Sequence, residues 1–274
     1  MKKKLSLLVL SLILLLSTSS SIFASPSGFT ESELDTIFEK AGTPQELINQ
    51  MDYYTKLFIV ENSGEDFEFS SNSTSLYKFD STLDTFIEVK ETDIQPLGYI
   101  PSTDMSLSMY TFNVTVNGVA MKEIYSQFEW LNKPKDFPAG IGKDNLGIAL
   151  PGGYEIQSGR YACAVQTKLE KNDAWGAASS SRCTNQSPVV NNLYGAVWEF
   201  SASQNYLNIY YKGTVKLTAR TVSSNPVKRA VSRYSQAREN ALGNYGVSIG
   251  IGAASISYTP KSGSNDTMDA DTNW

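Results

Sequence analysis

The 274-residue sequence predicts a mainly β protein whose central unit is an antiparallel β-sandwich. Bulky and small polar residues alternate from Tyr110 to Val116, as expected of a strand with one buried face. Asn117 and Gly118 follow, and this dipeptide favours a two-residue hairpin turn. Clusters of Ser, Asn, Gly and Asp separate further segments of this kind. We also expect a small helical segment before the sandwich and one amphipathic helix near the C-terminus.

The first 24 residues have the pattern of a secretory signal peptide. Lys2 to Lys4 form a basic start, and the apolar stretch from Leu5 to Leu16 is followed by a serine-rich segment. The apolar stretch is shorter than the roughly 20 residues that span a bilayer. We therefore predict cleavage after Ala24 and a secreted, extracellular protein.

Charge and composition exclude several classes of function. Cleavage would lower the number of basic residues from 23 to 20 against 28 acidic residues, giving a net charge of −8, which argues against bulk nucleic-acid binding. The sequence contains no histidine. This absence excludes Ser-His-Asp and Cys-His nucleophiles and histidine-ligated zinc. We expect no metal and no cofactor.

The two cysteines, Cys163 and Cys183, are predicted to form a disulfide because the chain is directed to an oxidising compartment. A reactive thiol is the alternative, and Arg182 beside Cys183 is its only local support.

Residues 25–104 are predicted to form a helical hairpin followed by short strands. Thr30 and Glu33 have capping-box spacing, which places a helix from Glu31 to Lys40. Pro44 begins a second helix that ends near Met51. The segments TKLFIVE, DFEFS and DTFIEVKE are expected to be strands. The helices either cover the β domain or bind a partner.

Residues 105–260 are assigned to the sandwich. Its predicted strands include the two flanking Asn117-Gly118, together with GRYACAVQTKLE, LYGAVWEF and YLNIYYKGTVKLTARTV, while KPKDFPAGIGKDNLG and LPGGYEIQSG are expected to be loops. In the long last strand Tyr211, Val215 and Leu217 should face the core. Lys212 and Lys216 should face water.

The segment VKRAVSRYSQARENALG has helical spacing of its apolar residues. One face of this predicted helix carries four basic residues that could contact an anionic surface such as a membrane, or simply be solvated: Lys228, Arg229, Arg233 and Arg238.

The stretch GVSIGIGAASISYTP, residues 246 to 260, alternates bulky residues with glycine and serine. Its phase changes at Ala253-Ala254, which suggests a strand with a β-bulge. The in-phase part is shorter than the nine to eleven residues of a transmembrane strand. We therefore expect the stretch to close the core of a β domain and not to line a pore.

The polar tail, residues 261–274, is predicted to be disordered. Asp269, Asp271 and Asn273 have the spacing of calcium ligands, but Trp274 stands where the calcium loop needs glycine.

Two kinds of candidate site residue remain. Flat rings could stack on sugars, and the candidates are Trp130, Trp175, Trp198, Tyr206 and Tyr210. Hydrolysis without histidine would need paired carboxylates, and the candidates are Glu123, Glu129 and Glu199.

The segments EIYSQFEWL, LYGAVWEF and GVSIGIGAASISYTP, together with the signal peptide, resemble secreted proteins of Gram-positive bacteria that have no assigned activity. The resemblance covers the C-terminal half and implies no catalytic residue. We predict a non-catalytic extracellular protein that binds the cell envelope or a polysaccharide. The alternatives are a membrane-active toxin or bacteriocin-like effector, and a carboxylate-dependent glycosidase.

Overall fold

The computed structural model describes residues 28–74, 77–80, 85–88, 100–133, 143–177, 179, 183, 187–201, 210–237, 246–250, 255–259 and 265–274. The helices are α1 (Glu31–Lys40), α2 (Gln45–Gln50) and α3 (Tyr53–Asn62). The strands are β1 (Glu65–Ser73), β2 (Tyr77–Asp80), β3 (Thr85–Glu88), β4 (Met105–Val116), β5 (Val119–Trp130), β6 (Lys143–Ala149), β7 (Tyr154–Lys168), β8 (Val190–Asn192), β9 (Gly195–Ser201), β10 (Tyr210–Thr221), β11 (Arg229–Ala237), β12 (Gly246–Gly250), β13 (Ser255–Thr259) and β14 (Asn265–Asn273).

Two five-stranded antiparallel sheets form a sandwich, which confirms the predicted antiparallel β-sandwich. The strand order of the first sheet is β1-β4-β5-β10-β7, and that of the second is β14-β11-β6-β9-β8. Phe128 of the first sheet and Trp198 and Tyr234 of the second lie in one core cluster. A hydrogen bond of 2.6 Å between the hydroxyls of Ser126 and Ser232 joins the two inner faces.

The three helices cover the outer face of the first sheet. Phe38 of α1 and Phe58 of α3 share a second core cluster with Phe112 and Tyr125. The capping box of Thr30 and the predicted α1 and α2 are confirmed. Strand β1 pairs with β4, so the N-terminal segment shares a sheet with the residues that follow position 104.

The strand predicted for TKLFIVE is wrong, because these residues lie in helix α3. The side chain of Asp52 caps the helix by accepting a hydrogen bond of 3.2 Å from the backbone N–H of Tyr54. The helix buries Leu57, Phe58 and Ile59. Packing on the sheet overrides the strand propensity of the β-branched residues. No described helix is long and apolar enough to cross a membrane.

The hairpin predicted at Asn117-Gly118 is confirmed. Both residues have positive φ, 51° and 76°, as a type I′ turn requires, and Val116 pairs with Val119. Strand β5 therefore returns directly alongside β4.

One face of β10 was predicted to be exposed to solvent, and this prediction is wrong. Lys212 and Lys216 are only 2% and 4% exposed, because the helices cover that face. Two of the predicted loops also contain strand residues, since β6 begins at Lys143 and β7 begins at Tyr154.

The predicted disulfide between Cys163 and Cys183 is confirmed, with a Cα–Cα distance of 6.0 Å. Cys163 lies in β7 of the first sheet, and Cys183 forms a β-bridge to Phe200 of the second. The bond therefore joins the two layers of the sandwich.

The prediction of an amphipathic helix near the C-terminus is wrong for the part of this segment that the structure describes. Residues 229–237 form strand β11, in which Ala230, Ser232 and Tyr234 face the other sheet. The central position of β11 between β14 and β6 favours a strand, because both neighbours satisfy its backbone hydrogen bonds.

The predicted disorder of the tail is also wrong, because residues 265–273 form strand β14 and bury Met268 and Ala270. The single bulged strand predicted for GVSIGIGAASISYTP is two strands, β12 and β13, which pair with Gly246 opposite Thr259 and Gly250 opposite Ser255. The predicted signal peptide lies outside the described residues.

Candidate functional site

A groove of about 650 Å³ lies at one open end of the sandwich. Both layers contribute to it. Its walls come from β1, β4 and β5, from the end of β10 and the start of β7, and from the last residue of the chain. The volume lies in the range of small-ligand sites.

Trp274 supplies an aromatic surface in this groove. Its side chain is partly buried, and its backbone N–H donates a hydrogen bond of 3.2 Å to the carbonyl oxygen of Lys228. The ring of Tyr154 meets it edge-on at a centroid distance of 5.7 Å. These contacts hold the indole in place beside the open groove.

Lys122 lies at the inner end of the groove. Its Nζ donates hydrogen bonds to Ser70 Oγ at 2.7 Å and to Asn113 Oδ1 at 2.6 Å, and it lies 5.1 Å from the centroid of the Trp274 ring. Burial, together with the nearby Lys228 ammonium, lowers the pKa of Lys122 to about 8, and the Glu68 carboxylate opposes this shift.

The rim of the groove is polar. Asp66, Glu68 and Lys228 are exposed charged residues that line it. Hydroxyl groups also line it, from Ser70, Thr115, Thr221, Ser223 and Ser224. The site thus combines one partly buried indole with several hydrogen-bonding groups.

Two of the rings predicted to bind sugars lie in the core instead. Trp130 is 5% exposed, and its Nε1 donates a hydrogen bond of 3.2 Å to the hydroxyl of Tyr234. Trp198 is fully buried. A ring that packs between the sheets cannot stack on an external ligand. Tyr206 lies outside the described residues.

The two remaining predicted rings, Trp175 and Tyr210, lie together away from the groove. Nζ atoms of Lys168 and Lys212 each lie 4.5 Å from the centroid of the Trp175 ring. Tyr210 is mostly buried, and the ammonium groups of Lys133 and Lys168 lie 5.6 Å from its centroid. Lysines therefore already pack against both rings.

The four basic residues predicted on the C-terminal helix do not share one helical face. Arg229 forms an ion pair with Asp271 at 2.5 Å, and Arg233 forms one with Asp269 at 2.5 Å. Lys228 lines the groove, and Arg238 lies outside the described residues. The two arginines thus have carboxylate partners in strand β14.

The candidate carboxylates do not converge. Glu123 is fully buried and forms an ion pair with Lys216. Glu129 lies between core residues Phe128 and Trp130 in β5, so its side chain points to the outer face of the first sheet. By the same alternation, Glu199 points to the outer face of the second sheet. Two carboxylates on opposite outer faces cannot flank one glycosidic bond.

The calcium spacing of Asp269, Asp271 and Asn273 falls in a strand, where Asp269 and Asp271 pair with arginines. Within the described ranges no group of three acidic, cysteine or histidine residues is placed to hold a metal ion.

Sequence reasoning missed Lys122, Tyr154 and Trp274. A signal for Lys122 was present, because it is in phase with Ile124, Phe128 and Trp130 on the face of β5 that meets the core. A lysine near the end of a strand, at a position whose side chain points to the buried face of the sheet, indicates a polar site. Trp274 was hidden by the polar composition of the tail.

The protein is thus an antiparallel β-sandwich with a helical outer layer and a groove at one end. No family model matches the chain, and no curated protein matches it. Among solved structures it distantly resembles surface proteins of Gram-positive bacteria. The collagen-binding domain of a Staphylococcus aureus adhesin has a TM-score of 0.28 and 8% identity, with 60% of this chain and 96% of that chain covered.

Two further structures show the same level of resemblance. The collagen-binding domain of Erysipelothrix rhusiopathiae surface protein RspB has a TM-score of 0.28 and 15% identity, over 76% of this chain and 60% of that chain. The pilus backbone RrgB of Streptococcus pneumoniae has a TM-score of 0.29 and 8% identity, over 75% of this chain and 48% of that chain.

Proposed function

We propose that the protein is a non-catalytic extracellular binding protein whose groove holds a polysaccharide of the cell envelope. The observation that carries this proposal is the indole of Trp274 beside a polar groove of about 650 Å³. An aromatic face stacks on the apolar face of a sugar ring, and nearby hydroxyl groups and charges bind the sugar hydroxyls.

An extracellular location is supported by the disulfide between Cys163 and Cys183 and by the signal-peptide pattern of the first 24 residues. A binding role is supported over hydrolysis by the dispersal of the candidate carboxylates. Glu123 is in a buried ion pair, and Glu129 and Glu199 lie on opposite sides of the sandwich.

The test is co-sedimentation of the purified protein with isolated bacterial cell walls, comparing wild type with Trp274→Ala. We expect the substitution to weaken binding about fivefold or more, because loss of a central aromatic contact costs more than about 1 kcal/mol. Trp175→Ala is the matched control, since Trp175 also packs against lysine but lies outside the groove.

Binding by Trp175→Ala should equal that of wild type. The proposal fails if wild type does not pellet with walls, or if Trp274→Ala pellets as well as wild type. Release of dye from anionic vesicles by the wild-type protein would favour the membrane-active alternative instead.

A further inference from the structure

Lys122 places a positive charge at the inner end of the groove. The residue is only 8% exposed, and its side chain points inward from β5 to the space between the sheets. Both of its hydrogen-bond partners, Ser70 and Asn113, are neutral. In the described part of the chain, no carboxylate forms an ion pair with this ammonium.

This arrangement differs from that of the other buried lysines in the part of the chain that the structure describes. Lys56, Lys212 and Lys216 each form an ion pair with a carboxylate. Burying a charge without a partner is unfavourable, so buried charges are normally paired. At Lys122 the structure instead leaves the charge facing a groove.

Among the described residues, only two of the donors of this ammonium have an acceptor. A lysine has three N–H groups, and Ser70 and Asn113 accept from two of them. The Trp274 ring lies on one side of Nζ, so an anionic group that accepts from the third donor would bring a neighbouring sugar close to the ring.

Among the described residues, the other ionisable side chains that line the groove are those of Asp66, Glu68, Tyr154 and Lys228. Lys228, before β11, adds a second positive charge, and Glu68 and Asp66 of β1 place negative charges on the exposed rim. Tyr154 faces the groove from β7, and burial raises the pKa of its hydroxyl. The inner end is therefore positive, and the negative groups lie at the exposed edge.

We infer that the groove selects an acidic polysaccharide, with Lys122 forming an ion pair with a carboxylate or phosphate of the polymer while a neighbouring sugar stacks on Trp274. This inference rests on the proposed function and names the chemical class of its ligand. It assigns Lys122 as the residue that distinguishes an acidic polymer from a neutral one.

The first test compares chemically modified walls. Hydrofluoric acid removes polymers joined through phosphodiesters, and carbodiimide with a neutral amine converts wall carboxylates to amides. We expect one of these treatments to lower wild-type binding about tenfold to a hundredfold, the worth of a hydrogen bond to a charged group. The treatment that does so identifies the acidic group as phosphate or carboxylate.

The second test uses variants on intact walls. Lys122→Gln should bind intact walls about tenfold to a hundredfold more weakly than wild type. Its binding should not change further when the walls receive either treatment. Lys133→Gln is the matched control, because it removes one positive charge outside the groove. Binding by this variant should equal that of wild type.

A pH series provides a readout that a structural role of Lys122 would not produce. Wild-type binding should fall about tenfold per pH unit above pH 8, where Lys122 loses its proton. Lys122→Arg should show no such fall between pH 8 and 10, because arginine stays protonated.

The inference is overturned if Lys122→Gln binds intact walls within twofold of wild type, or if neither chemical treatment lowers wild-type binding. In either case, loss of binding by Trp274→Ala would show that the proposed function still holds. Failure of the wild type to bind untreated walls would instead reject the proposed function itself.

Discussion

The ammonium of Lys216 and the carboxylate of Glu123 form an ion pair of 2.5 Å between neighbouring strands, with side-chain exposures of 5% and 0%. Lys216 also donates a hydrogen bond to the carbonyl oxygen of Asn62 at the end of α3. Tyr125 donates from its hydroxyl to Glu123 at 3.1 Å. This pair therefore ties the helical layer to the sheet through groups that water does not reach.

Breaking this ion pair from one side should be strongly destabilising. We expect Glu123→Gln to lower the free energy of unfolding by about 3 to 5 kcal/mol, because it leaves the Lys216 ammonium buried without a counter-charge. Urea denaturation followed by circular dichroism measures the change. The double variant Glu123→Leu with Lys216→Met should have a free energy of unfolding within about 1.5 kcal/mol of that of wild type, since it removes both charges. A single variant as stable as wild type would contradict this account.

Gly213 should not tolerate even a methyl group. A Cβ at this position would lie 2.5 Å from Phe128 Cε1 and 2.7 Å from Phe200 Cε1. Both rings are in the core, so Gly213→Ala should cost about 1 to 3 kcal/mol through overpacking, measured as a lower midpoint of urea unfolding. Gly152→Ala is the control, because nothing lies within 4 Å of its added Cβ. Equal stability of the two variants would argue against the packing described for Gly213.

The disulfide should stabilise the fold mainly by restricting the unfolded chain. Replacing both Cys163 and Cys183 by serine should lower the free energy of unfolding by about 3 kcal/mol, since the bond closes a loop with a sequence separation of 20 residues. Thermal unfolding of this variant should match that of wild type in excess reductant. If the midpoints of oxidised and reduced wild type coincide, the bond does not contribute.

The stability of the free protein should depend on the protonation of Lys122. Its pKa is about 8 in the fold and 10.5 in the unfolded chain, so between these pH values the unfolded state binds more protons. Stability from this group therefore rises as the pH increases from 8 to 10.5, and is constant below pH 8. We expect urea denaturation at several pH values to show that the free energy of unfolding of wild type rises relative to that of Lys122→Met between pH 8 and 10.5. Parallel profiles would mean that the pKa of Lys122 is not lowered in the fold.

The sequence predicted several elements because local chemistry decides them. Neighbouring residues in the chain decide the capping box at Thr30 and the turn at Asn117-Gly118. The oxidising compartment favours the disulfide between the two cysteines. The groove could not be predicted in this way. Glu68, Lys122 and Trp274 are far apart in sequence and meet only where two sheets end.

Thus the sequence by itself determined the β class, the first two N-terminal helices, the hairpin turn and the disulfide. Only the tertiary structure decided the state of segments whose pattern fits both a helix and a strand, such as 55–61 and 229–237. It also decided that the lysines of β10 are buried, because the helices cover that face. The physical reason is that local propensity differs by only about 1 kcal/mol between states, whereas packing and backbone hydrogen bonds over a whole element contribute several times more.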